Sequence, residues 1–432
     1  MPLGGITRAW YLRNMKDNIV ITGIGVVSSL GIGKEAFWQA LKEGKSGVRP
    51  VTLFDTAHFK TKLGAQVPDF KAEEILGPKG LRTFDRTIKL LLCAGTLAVE
   101  DAGLEINEEV ALDMGVSIGN AFGSVWSSSE FDKTALREGP RYVNPAEFPN
   151  TVMNSPASQL AIRFKIKGPC ATISNEFVSS TDSLKYAIDL LKNKRAKIVL
   201  TGGVEELCEQ TYLAFYKTRF LAGLKGEEIS CPFDQRRNGI ILGEGSALFV
   251  LESEESALKR KAHIYARVSG YGTYFQPYKI DNYEPTGFGL KKAIGLALAE
   301  AAIKPDAVSY ICSAANSTLA ADAIETKVLK EVFGQEAAKI PVTSIKSMTG
   351  ETFSASGAMQ VASCLGALEK GFIPPTINYA QKDVACDLNY VANVARNASP
   401  GNILINTFGP ANLNSCLVIS RHKDSVNYSV RF

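Results

Sequence analysis

An α/β fold made of two related halves is what this sequence predicts, and three observations carry that reading. Short β-branched runs alternate with longer helical patterns, two distant stretches follow one plan, and no flexible Gly/Ser/Pro linker divides the chain. The runs Ile19-Val20-Ile21, Ile198-Val199-Leu200, Leu248-Phe249-Val250, Ile403-Leu404-Ile405 and Leu417-Val418-Ile419 read as strands. The stretch Thr87 to Val99 is apolar almost all round, the pattern of a helix buried on most faces, and it implies a central helix layer. From Thr181 to Lys192, Leu184, Ala187, Ile188 and Leu191 recur at helical spacing, so this helix lies beside a sheet and runs into the strand 197–200. The repeated plan is Gly168 to Asn175 leading into a helix and a strand that ends at Gly202-Gly203, matched later by Met348-Thr349-Gly350 opening a helix from Phe353 to Glu369, closed by Lys370-Gly371. The expected organisation is an N-terminal extension over 1–15, a first half over 16–262, a second half over 263–421 and a tail over 422–432.

Composition narrows the function classes. With 432 residues, 45% hydrophobic and 21% charged, the chain buries a substantial core. Lys plus Arg at 48 against Asp plus Glu at 44 leaves a formal charge of +4, too little for a phosphate-neutralising field, which argues against nucleic acid as a partner. No run reaches the roughly 18 apolar residues of a membrane span, and the first residues lack the apolar stretch of a signal peptide, so a cytoplasmic protein without a membrane partner is expected. Eight cysteines without a CxxC pair read as reduced, mostly buried thiols and argue against a metal site. Only three histidines, His58, His263 and His422, are available to any mechanism that needs one.

Several motifs invite chemistry. Gly23-Ile24-Gly25 follows the first strand, but Ser28 stands where the third glycine of a dinucleotide loop belongs, which leaves a tight strand exit as the reading. Gly168-Pro169-Cys170-Ala171-Thr172-Ile173-Ser174 approaches a helix start, where backbone N–H groups and the helix dipole would activate a nucleophile. The residue offered there is Phe177, an aromatic plug, and Cys170 upstream reads as a packed core thiol. Lys346-Ser347-Met348-Thr349-Gly350-Glu351 sets a lysine and a carboxylate around a tight turn.

Taken in order, these motifs resemble the β-ketoacyl synthases of the thiolase superfamily from Ile19 to Ser420. The resemblance is carried by Ile21 to Ser28, by Gly168-Pro169 through Ser174, and by Cys231-Pro232-Phe233-Asp234 with Arg237-Asn238-Gly239 and Gly243-Glu244-Gly245. Asp322 and Glu325, Lys346 to Gly350, and Asn406 to Asn414 complete it. It implies a thiolase-like fold, a layered αβαβα sandwich. It also implies that the nucleophilic cysteine aligns with Phe177, the first histidine, eight residues before Asp322, with Ala314, and the second histidine with Glu351. Glu325 and Lys346 are then expected as a structural polar pair, and Gly409-Pro410-Ala411-Asn412 as a stiffened version of a mobile gate.

A ketosynthase frame with these replacements resembles the chain-length factor, the ketosynthase-β subunit of type II polyketide synthases. That family implies a chain that is no enzyme by itself, pairs with an active ketosynthase edge to edge through the first-half sheet, and sets polyketide or polyene chain length. It implies no directly bound cofactor, since an acyl carrier protein bearing phosphopantetheine serves the complex. The family's tunnel gate falls on Val125, Ser128 and Asp132, with Phe131 beside them. Two other readings compete: a malonyl-ACP decarboxylase that primes chains, and a homodimeric acyl-binding protein.

Overall fold

The computed structural model of the protein describes residues 18–279 and 282–422; the expected extension 1–15 and the expected tail beyond His422 lie outside the described residues. Ten strands carry the architecture. In the first half they are β1 (Ile19–Ser28), β2 (Met114–Gly119), β3 (Cys170–Ile173), β4 (Ile198–Glu205) and β5 (Gly245–Ser253). In the second half they are β6 (Ala266–Phe275), β7 (Tyr310–Cys312), β8 (Val342–Thr343), β9 (Asn402–Phe408) and β10 (Leu413–Ser420). Their hydrogen-bonded order is β3-β2-β4-β5-β1 in one half and β8-β7-β9-β10-β6 in the other, so each half sets its five strands down in the same spatial sequence. β1 meets β6 antiparallel, Ile19 opposite Val268 and Ile21 opposite Ala266, which joins the halves edge to edge.

Six helices matter for the site: α1 (Arg86–Asp101), α2 (Val125–Arg137), α3 (Ser179–Lys192), α4 (Phe288–Glu300), α5 (Leu319–Phe333) and α6 (Ser356–Lys370). Side chains alternate along the strands between separate cores, as a two-residue period requires. Val199, Phe249, Ile403, Ile405, Leu417 and Ile419 point inward onto α3 and α6. Their neighbours Leu200, Leu248 and Val250 point outward onto α1, and Leu404 and Val418 onto α4 and α5. The layers are therefore helix, sheet, helix, sheet, helix.

Two expectations need adjusting. The apolar helix 86–101 belongs to an outer layer, and α3 and α6 form the central one. It reads as buried all round because a further helix, Ser155–Arg163, covers its far side, with Leu160 against Gly95. Gly23 and Gly25 lie within β1 rather than at its exit. A Cβ at Gly25 would sit 1.9 Å from the Ala94 carbonyl oxygen of α1, so the glycines let the helix backbone approach the strand. Gly270 and Gly272 of β6 do the same for α4, where a Cβ would sit 2.2 Å from Ala297 O and 2.1 Å from Ala293 O. One packing device is thus used once per half.

Candidate active site

The two central helices each begin at a kinked turn, and the turns meet. β3 runs through Asn175 to a short 3-10 turn over Glu176–Val178, with Glu176 at φ 49°, and α3 follows. The second half repeats this with a 3-10 turn over Phe353–Ala355, Phe353 at φ 45°, ahead of α6. Left-handed backbone at non-glycine residues is strained and persists only where the surroundings impose it.

Aromatic rings fill the space where the turns face each other. Phe177, 5% exposed, meets Phe353 edge-on at 5.3 Å. Phe215 stacks on Phe353 at 4.5 Å, and Phe122 meets both edge-on at 5.5 and 6.1 Å. The loop after β9 closes on the same plug, since a Cβ at Gly409 would lie 2.7 Å from the Phe177 ring. Asn412, at φ 65°, anchors that loop: its Oδ1 accepts from the Glu284 N–H at 2.6 Å, and its Nδ2 donates to Asn282 O at 2.9 Å. Truncating Phe177 to alanine should open a cavity and cost about 3–5 kcal/mol of stability, read as a lower urea midpoint with native secondary structure.

Beside the aromatic plug lies a buried polar network. Lys346 Nζ donates to Glu351 Oε2 at 2.8 Å and to the Ala314 carbonyl at 2.9 Å, and both charged side chains are almost inaccessible. Glu351 Oε2 also accepts from Asn316 Nδ2 at 3.3 Å, and its Oε1 from the Phe353 N–H at 3.2 Å. The expected pair of Glu325 with Lys346 is therefore corrected: the lysine's direct partner is Glu351. Glu325 is occupied instead by Ser313 Oγ at 2.6 Å, Asn406 Nδ2 at 2.9 Å and the Ala314 N–H at 3.2 Å. Burial pushes the Glu325 carboxyl above its usual range, and these hydrogen bonds with the Lys346 charge pull against it.

The structure brings Phe177, Ala314, Glu351, Lys346 and Glu325 into one region. The histidines stay out of it: His263 pairs with Glu369, His422 with Glu254, and His58 is exposed. Cys170 was expected in the core but is exposed, because it begins β3, the outermost strand of the first half; the other seven cysteines are buried. Glu205 escaped the sequence reading. Buried at the end of β4, it accepts from Ser354 Oγ at 2.6 Å and from the Ala121 and Phe122 N–H groups, tying the second turn to the segment before α2. Burial pushes its carboxyl up to about 7. The only cue in the sequence was an acid directly after Gly202-Gly203-Val204.

Helix α2 has no fully buried residue. Ser128 donates to Thr151 O at 3.1 Å and Phe131 packs on Phe148 at 6.1 Å, so this face leans on the chain's own segment 145–151. Val125 is half-buried and Asp132 exposed. Among the described residues no helix is long and apolar enough to cross a membrane, and no cluster of side chains could hold a metal.

Comparison with known proteins places this geometry. The model of the beta-ketoacyl synthase N-terminal domain matches residues 16–257, and that of the C-terminal domain residues 265–380. A 3-oxoacyl-[acyl-carrier-protein] synthase 2 of Coxiella burnetii is 36% identical over 410 residues, 94% of this chain and 99% of the relative. The tetracenomycin polyketide synthase ketoacyl synthase alpha subunit of Streptomyces glaucescens is 32% identical over 425 residues, 96% of this chain and 99% of the relative. Among solved structures, the ishigamide ketosynthase/chain length factor superposes with a TM-score of 0.88 at 29% identity, covering 94% of this chain and 99% of that one. A type II polyketide synthase acyl carrier protein in complex with its ketosynthase bound to the hexaketide gives 0.87 at 28%, covering 94% and 100%. One expectation is overturned by these relatives. The chain was expected to be no enzyme by itself, a pseudoenzyme, yet curated relatives matching nearly its whole length are named as synthases, which points to an enzyme.

Proposed function

We propose a function for this chain from one premise: it belongs to the β-ketoacyl synthase family. In this reading it is a subunit of a 3-oxoacyl-[acyl-carrier-protein] synthase of the type II polyketide kind. It pairs with a second ketosynthase-fold chain, receives substrates on an acyl carrier protein, and supplies the wall that sets acyl length. Phe177, Ala314 and Glu351 occupy the positions of the family's cysteine and two histidines, and α2 borders the partner's acyl tunnel.

The observation that supports this best is the outer edge of β3. β3 pairs with β2 on one side only, so its other side offers free backbone groups. In the segment between β2 and β3 stand exposed apolar side chains: Leu136, Tyr142, Phe148, Met153 and Ile162. An open strand edge in a chain that also exposes these apolar side chains fits a face that another chain covers.

Co-expression with a ketosynthase of its own type II system should yield a 1:1 complex by size-exclusion chromatography with light scattering. A monodisperse homodimer that ignores the ketosynthase would instead favour a homodimeric acyl-binding protein. Length control is tested at α2. Val125→Phe adds a ring to a close-packed wall that cannot recover the volume elsewhere. The product acyl chains, read by mass spectrometry, should shorten by one or more two-carbon units while the complex survives. Unchanged length in an intact complex would place the gate elsewhere.

A further inference from the structure

An open cavity of about 640 Å³ lies behind α2, apart from the aromatic plug, bordered by the start of α1, the segment 144–150 and the loop 206–209 after β4. Its volume suits a small ligand. Its floor is acidic: Glu206 is 3% exposed and Asp85 7%. Asp85 is engaged, capping α1 through the Ile88 N–H at 2.9 Å and accepting from Ser127 Oγ at 3.1 Å. Glu206 is satisfied on one side, by the Thr87 hydroxyl and the Trp126 backbone, but its Oε1 is buried with no partner. A buried carboxyl oxygen left unpaired is costly, and its presence in a cavity wall points to a missing partner.

Charge decides what that partner is. Besides the floor pair, Glu130, Glu147 and Glu209 line the cavity. Against these stand Arg82, Arg86 and Lys89, and Arg86 is already held by Glu244 at 2.7 Å. Five acids thus face three bases, although Glu130 is held by Lys133 at 3.0 Å, the Arg86 charge also acts on Glu206 and the Lys89 charge on Asp85, and Arg82 is exposed at the rim. The Trp126 indole, half-exposed, adds an aromatic wall of the kind that attracts cations. We propose that this cavity binds a small organic cation, a primary ammonium seated between the Glu206 and Asp85 carboxyls and the Trp126 ring. The proposal stands apart from chain-length control and holds whether or not that reading does.

Glu206 supplies a signature. Burial, with Asp85 and Glu205 as like-charged neighbours and despite the Arg86 charge nearby, pushes its carboxyl up to about 8, so at pH 7 the empty site holds a proton that an entering ammonium must displace. The test is calorimetric titration of the full chain, with its co-purifying partner if it has one, using cadaverine as probe and 1-pentanol as neutral control. Cadaverine should bind saturably, with heats at pH 7 that vary with buffer ionisation enthalpy. Glu206→Gln should weaken binding at least tenfold and abolish the buffer dependence, and Trp126→Ala should weaken it several-fold. Glu206→Gln should fold at least as well as the parent above pH 8, because the parent alone must then keep a desolvated carboxylate. No saturable binding of cadaverine, an unchanged affinity in Glu206→Gln, or equal binding of 1-pentanol would overturn the proposal.

Discussion

Lys346→Met should destabilise the protein by about 3–5 kcal/mol, among the largest effects a single substitution can have here, because it strands Glu351 without its counter-charge. The ion pair is inaccessible on both sides, and each partner also holds backbone, Lys346 the Ala314 carbonyl and Glu351 the Phe353 N–H. Removing both charges together, Lys346→Met with Glu351→Leu, should recover much of the loss, since a buried pair is worth far less than the penalty of splitting it. Glu351→His follows the same logic: a neutral imidazole leaves the lysine unpaired, so the variant should be destabilised almost as much as Lys346→Met. Urea midpoints of the single and double variants decide the matter, and a single variant losing less than about 1 kcal/mol would show that water or rearrangement satisfies the remaining charge.

The second large effect is expected at the sheet edge. Val116 and Asn120 donate to the carbonyls of Pro169 and Ile173 at 2.8 and 3.0 Å, which turns the backbone groups of Cys170 and Thr172 to the outer side of β3. Thr172→Pro therefore removes an outward N–H without breaking the β2 ladder. In the proposed two-chain complex, with the partner on this edge, losing that hydrogen bond and leaving its acceptor buried should cost on the order of 3 kcal/mol, roughly a hundredfold in the dissociation constant. Thr172→Val keeps the N–H and should leave the complex intact. Sedimentation velocity across a dilution series reads both variants. A Thr172→Pro complex as tight as the parent would mean that the partner covers some other face.

Much of this molecule was legible in its sequence because its strands and helices announce themselves locally. The five β-branched runs are all strands, since such residues fit a pleated surface buried on both sides, and 181–192 is helical with its apolar positions buried. Glycine spacing is also local information, although its meaning was not: Gly23 and Gly25 look like a loop signal until α1 is seen lying on the strand. The layer to which the helix 86–101 belongs was likewise invisible, because an apolar helix in the centre and an apolar helix covered by another helix have the same pattern.

The site divides along the same line. Phe177, Ala314, Glu351, Glu325 and Lys346 could be marked in the sequence because the motifs resemble those of the β-ketoacyl synthases in order, Ala314 by its place eight residues before Asp322. Who touches whom could not. Lys346 chooses Glu351 over Glu325, Glu205 reaches across to Ser354, and Glu206 faces an open cavity with an unmatched oxygen. Cys170 passes from expected core to exposed edge only once β3 is known to be the last strand of its half. Sequence by itself determined five of the ten strands, the apolar and amphipathic helices near 87–99, 181–192 and 353–369, and the repeated plan of the two halves, all of which follow from short-range spacing. Pairing, burial and charge balance were decided by tertiary structure alone, because they depend on which groups from distant segments share the same water-free space.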